Sequence, residues 1–120
     1  MQKTTRSHRA MKVASEIKKV LSSLLLLDDD LRCVSITEVD VSPNLRFSKV
    51  YFVCGEANVD DIMMLFDIRL KHLQKDLAEA INLKYATTLQ FIYDKAFDHA
   101  DKITKILDEI AHEKKPTENQ

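Results

Sequence analysis

The spacing of apolar positions divides the chain into segments of different period. From Ser7 onward, Ala10, Val13, Ala14, Ile17, Val20, Leu21 and Leu24 recur every three or four residues, one stripe of an amphipathic helix. Thr5 or Ser7 is placed to cap it. Between Val34 and Val53 the period drops to two. Two β-branched and aromatic runs flank Ser42-Pro43-Asn44, the pattern of an antiparallel hairpin. In the second run Phe47, Tyr51 and Val53 share a face with Lys49, while Val50 and Phe52 take the other. The first run changes phase, with Val34 and Ile36 at even positions and Val39 and Val41 at odd ones. A bulge near Thr37 and Glu38 would restore the alternation. An isolated hairpin is marginal in water, so the remaining elements are read as its cover.

After a short loop from Gly55 to Asn58, a second helical region is expected from Val59 to about Leu83, capped by Asn58. It carries Ile62, Leu65, Phe66, Leu70, Leu73, Leu77, Ala80 and Ile81 toward a core and leaves Arg69, Lys71, Lys75 and Lys84 outside or at its end. Its length suits either one helix or two in succession. Leu89-Gln90-Phe91-Ile92-Tyr93 reads as a third strand, and a third helix from about Phe97 to His112 aligns Ile103, Ile106, Leu107 and Ile110. The order is helix, strand, strand, helix, strand, helix.

At 120 residues, 45% hydrophobic and 31% charged, the chain is one domain that buries roughly two thirds of its unfolded surface. Lys114 to Gln120 is too polar to order and is expected to be a tail. Leu24 to Leu27, the longest aliphatic run, is far too short to span a bilayer, and no apolar leader precedes Val13. A cytoplasmic protein without membrane association is expected. Cys33 and Cys54 bracket the hairpin and are expected to be free thiols in a reducing compartment. Two cysteines without CxxC spacing and four scattered histidines exclude a recognisable zinc motif.

Net charge is −1, but its distribution is uneven. Residues 1–53 carry nine Lys or Arg against six acids, and residues 1–19 carry Lys3, Arg6, Arg9, Lys12, Lys18 and Lys19 against Glu16 alone. Arg9, Lys12, Glu16 and Lys19 form a file along the first helix, extended by Arg6. The plain reading is a solvated helix face; the functional one is a ridge that contacts phosphates. Asp28-Asp29-Asp30 invites magnesium, but adjacent side chains in a turn diverge, and a helix-ending loop explains it. Asp98-His99-Ala100-Asp101 is read as acids favoured at a helix start. With Gly55 the only glycine there is no GxGxxG, P-loop or nucleophile elbow. No catalytic group, metal site, cofactor or small-molecule substrate is expected; the chain reads as a binding module.

Three stretches carry a family resemblance. Arg6-x-x-Arg9 heads the first helix. Ser35 to Leu45, reading SITEVDVSPNL, is followed by Ser48-Lys49-Val50-Tyr51, and Leu89 to Asp94 reads LQFIYD. From about Lys3 to Ile110 this resembles ribosome-binding factor A. The most specific part is the hairpin, where the family's pattern of serine, any residue, Asp, Leu, two residues, small, Lys, Val, aromatic is met with Asn44 in place of Asp.

The resemblance implies an α+β fold of the KH-like type II class, α-β-β-α(α)-β with a C-terminal helix, in which helices pack on one face of a three-stranded sheet. Residues 1–113 would form that RNA-binding domain and residues 114–120 the disordered tail. It implies a ribosome assembly factor that binds the immature small (30S) subunit and its 16S rRNA. Such a factor assists late maturation and 5′-end processing, supports growth in the cold, and acts as a cytoplasmic monomer. Beyond Asn44, the chain departs from the family at three further points. A small-x-Gly kink is expected at about Arg69 to Lys71, where Leu70 and Lys71 stand; Gln74 occupies the place of an arginine, and Thr87 that of a proline. Phosphate contacts would then fall on Lys3, Arg6, Arg9 and Lys12, with Arg46, Lys49, Lys71 and Lys84 in second rank. With no aromatic platform of the RRM kind, recognition would be mainly of RNA shape. The alternatives are an α/β protein-interaction or dimerisation module without RNA binding, its third helix against a partner, and a small magnesium enzyme using Asp28 to Asp30.

Overall fold

The computed structural model describes residues 8–84 and 86–118. The elements are α1 (His8–Leu26), β1 (Ser35–Val41), β2 (Phe47–Val53), α2 (Val59–Ala80), β3 (Thr88–Tyr93) and α3 (Lys95–Glu118). The caps expected at Thr5 and Ser7, and the cations Lys3 and Arg6, lie outside the described residues. The sheet runs β1-β2-β3, with β1 antiparallel and β3 parallel to the central β2. A parallel partner requires a crossover, and α2 supplies it.

Alternation decides which face the helices cover. Val50 and Phe52 of β2, Leu89 and Phe91 of β3, and Ile36 and Val41 of β1 are buried, opposite Ile17, Leu21 and Leu25 of α1 and Ile62, Phe66 and Leu77 of α2. Rings lock α2 to the sheet: Phe66 stacks on Phe91 at 3.7 Å between centroids and meets the edge of Phe52 at 5.1 Å. The phase change in β1 is a register shift between Ile36 and Glu38, which leaves Thr37 without a strand partner. Thr37 is not idle; its hydroxyl donates to Asp94 Oδ2 at 2.6 Å beyond the end of β3.

Loops are closed by their own polar groups. In the hairpin, Ser42 Oγ donates to Asn44 Oδ1 and accepts from the Phe47 N–H, while Asn44 Oδ1 also accepts from the Arg46 N–H. This Asx-type turn holds Leu45 in left-handed backbone, φ 63°. Asn58 Oδ1 caps α2 by accepting from the Asp61 N–H. At the other end Asn82 is left-handed and Leu83 N–H reaches back to the Ala78 carbonyl, a Schellman closure that stops α2 short of the expected Leu83. The second helical region is one uninterrupted helix of 22 residues.

α3 begins two residues before the expected Phe97, because Asp94 Oδ1 accepts the Phe97 N–H and caps it there. Its backbone continues to Glu118, through most of the segment whose composition suggests a tail. Cys33 and Cys54 are free thiols, the first exposed and the second buried.

Candidate nucleic-acid interface

The outward face of α1 presents Arg9, Lys12, Glu16 and Lys19 to solvent, as its period requires. Its amino-terminal end lies against the hairpin turn. There Arg9 from α1, Arg46 from the turn and Lys84 from the loop after α2 line one hollow of about 500 Å3, with Asn44, Leu45, Phe47 and Leu83. No carboxylate is among the described residues that line it. The structure therefore gathers three expected RNA contacts from three separate segments. Lys12 stands further along α1, Lys49 on the uncovered sheet face between Asp40 and Gln90, and Lys71 on the exposed side of α2.

The walls of the hollow are tied in place. Leu45 packs on the core beneath the turn, and the Arg46 carbonyl accepts from the Thr88 N–H at 2.8 Å, joining hairpin to β3. Sequence reasoning does not single out Phe47 as a contact, yet the residue lines the hollow and is 59% exposed. Its place on the face opposite Val50 and Phe52 is the one signal that points to it.

The acidic loop has a different task. Arg69 Nε reaches Asp28 Oδ2 at 2.8 Å and Arg69 Nη2 reaches Asp30 Oδ2 at 3.0 Å, so the carboxylates clamp α2 to the α1–β1 connection. Arg69 is consequently half-buried rather than outward, as its helical position alone would suggest. Asp29 pairs with Arg32. Among the described residues no group of three or more His, Cys, Asp or Glu is placed to hold a metal ion. At the other side of the sheet, Tyr93 Oη donates to Asp98 Oδ2 at 2.7 Å. That bond pushes the phenol up to about 12 and lowers the Asp98 carboxyl.

A family model described as ribosome-binding factor A matches residues 9–107. The chain belongs to the ribosome-binding factor A family. A member from Novosphingobium aromaticivorans is 37% identical over 111 residues, which cover 86% of this chain and 82% of that one. The crystal structure of ribosome-binding factor A from Thermus thermophilus superposes with a TM-score of 0.63 at 16% identity, over 70% of this chain and 94% of that one. A homology model of the Thermus thermophilus protein, fitted into a cryo-EM map of a 30S complex, superposes with a TM-score of 0.60 at 17% identity, over 68% and 91%.

Each departure from the ribosome-binding factor A pattern has a structural occupation here. Where the kink is expected, α2 stays helical and Arg69 holds the acidic loop. Gln74, in the place of the arginine, accepts the Leu89 N–H through Oε1 at 2.8 Å and so fastens α2 to the start of β3. Thr87, in the place of the proline, shares a 2.7 Å hydrogen bond with Ser48 Oγ, and both side chains are buried. That bond satisfies two hydroxyls that burial would otherwise penalise. No helix among the described residues is long and apolar enough to cross a membrane.

Proposed function

We propose that this chain is a ribosome assembly factor that docks on the immature small (30S) subunit through the backbone of its 16S rRNA. The observation that carries the reading is the convergence of Arg9, Arg46 and Lys84 on one hollow in a chain of net charge −1. A local cationic surface on a near-neutral molecule directs binding to phosphates without general stickiness. Lys12 extends the contact along α1, Lys3 and Arg6 from the preceding sequence add further phosphate contacts, and Lys49 and Lys71 act from neighbouring faces. Family membership and the Thermus protein's fitting into a 30S map support the choice of partner. The chain acts as a cytoplasmic monomer without catalysis, assists late maturation and 5′-end processing, and matters most in the cold, where misfolded RNA is slow to rearrange.

Sedimentation of cell extract tests the partner: the protein is expected with free small subunits, and a profile confined to the top of the gradient contradicts the proposal. One observation favours a second reading. α3 exposes Phe97, Ile103, Ile106, Leu107 and Ile110, a stripe suited to a protein partner or a second copy. Under that reading the same gradient shows no subunit association, and the purified chain sediments as a dimer or larger.

A further inference from the structure

The hollow beside the hairpin has a feature that phosphate binding does not use. Phe47 opens the central strand, yet it is 59% exposed while the next inward residues, Ser48 and Val50, are buried. Phe47 is among the residues that line a space about 500 Å3 in volume, within the range of about 300–1,000 Å3 typical of small-ligand sites. Leu45 and Leu83 give that space an apolar wall, and Arg9, Arg46 and Lys84 give it a cationic rim. Asn44 spends its Oδ1 on the turn, which leaves its amide nitrogen as a donor.

We propose that this hollow receives one unstacked RNA nucleotide, its base laid on the Phe47 ring and its phosphates held by Arg9, Arg46 and Lys84. The inference rests on the RNA-binding reading above and narrows it, from recognition of shape alone to capture of an unpaired base. Aromatic rings bind bases of any identity through their π-faces, so the site selects single-stranded or splayed nucleotides rather than a sequence. The walls are preformed. Leu83 is fixed by the closure of α2, and the turn is held by its own side chains and by the Arg46 to Thr88 hydrogen bond, so little ordering entropy opposes binding.

The chain contains no tryptophan, so Phe47→Trp introduces a lone indole, which can be excited apart from the three tyrosines. Titration with a single-stranded RNA decanucleotide is expected to quench its emission saturably, and a duplex of equal length to quench it far less. Phe47→Leu, which keeps apolar volume but removes the ring, is expected to weaken single-strand binding roughly fivefold to a hundredfold. Its salt dependence should stay as in the wild type, because the ring touches no phosphate. The proposal is overturned if Phe47→Leu binds the decanucleotide as well as the wild type does. It is equally overturned if an acidic peptide or an anionic phospholipid vesicle quenches the Phe47→Trp emission and the RNA does not. If emission is unmoved by RNA while small subunits still bind with a steep salt dependence, the base pocket fails and the phosphate reading stands. If wild-type protein binds no small subunits even at low salt, both fall.

Discussion

Leu45 and Asn82 both hold left-handed backbone, at φ 63° and 56°, and they do so for different reasons. Asparagine tolerates that conformation through local hydrogen bonding, and at Asn82 it closes a helix. Leucine has no such help; strain of about 1–2 kcal/mol is offset by Leu45 packing on the core and by the hydrogen bonds of the Ser42–Asn44 turn. Asn82→Gly is therefore expected to leave stability within about 0.5 kcal/mol or raise it slightly, read as the urea midpoint. The Tyr93–Asp98 bond makes a pH-dependent contribution. A phenol pushed up to about 12 keeps its proton more firmly folded than unfolded, where its value is about 10. Its contribution is complete below pH about 10 and is lost as pH rises toward 12. For Asp94, the Thr37 hydroxyl and then the Phe97 N–H lower the carboxyl, so its contribution is present above about 3.9 and is lost as pH falls through its folded value. Tyr93→Phe is expected to flatten the alkaline limb of a Tm-against-pH curve and to shrink the part of the acid limb that Asp98 supplies, while the part set by Asp94 stays. An unchanged alkaline limb would contradict the assignment.

At the scale of elements, the Arg69 clamp joins two parts of the chain 39 residues apart in sequence. Half-exposed ion pairs contribute modestly, and Arg69 Nη1 is buried with no hydrogen-bond partner among the described residues, which offsets part of the gain. Arg69→Met, which keeps the stem and removes both pairs, is expected to cost about 1 kcal/mol or less in urea unfolding, with the m-value unchanged. A loss of several kcal/mol would mean that the clamp holds more of the fold than its exposure suggests. The clamp also shows where sequence reading stops. Period two and its phase slip placed the hairpin and the bulge at Thr37, because strand alternation is a local rule. The stripe of α1 and the Asn58 cap were legible for the same reason. Arg69 reads as an outward cation because helical periodicity knows nothing of Asp28 and Asp30 on a distant loop. Likewise Arg9, Arg46 and Lys84 lie on three segments with no spacing rule between them, and only the packing of α1 against the hairpin brings them to one hollow. The end of α2 falls early because Asn82, rather than a glycine, supplies the left-handed residue.

For the molecule as a whole, the proposed function rests on where charge sits rather than on how much there is. One sheet face is sealed by α1 and α2, and the hairpin turn and the α2–β3 loop meet the amino-terminal end of α1 at one end of that layer. Several acids of the chain are used elsewhere: Asp28 and Asp30 hold Arg69, and Asp98 and Asp101 pair with Lys102 and Lys105 along α3. Under the proposed function, this surface binds the rRNA backbone with an affinity that falls as salt rises, because each neutralised phosphate releases counterions. The most direct test is the affinity for small ribosomal subunits across a salt series, for the wild type, for Lys75→Ala, and for a variant carrying Arg9→Ala, Arg46→Ala and Lys84→Ala together. Lys75→Ala, on the exposed side of α2, is expected to match the wild type, whereas the triple variant should bind more weakly and flatten the log-log slope by roughly two to three units. A triple variant that keeps its fold and shows the wild-type affinity and slope would contradict the account.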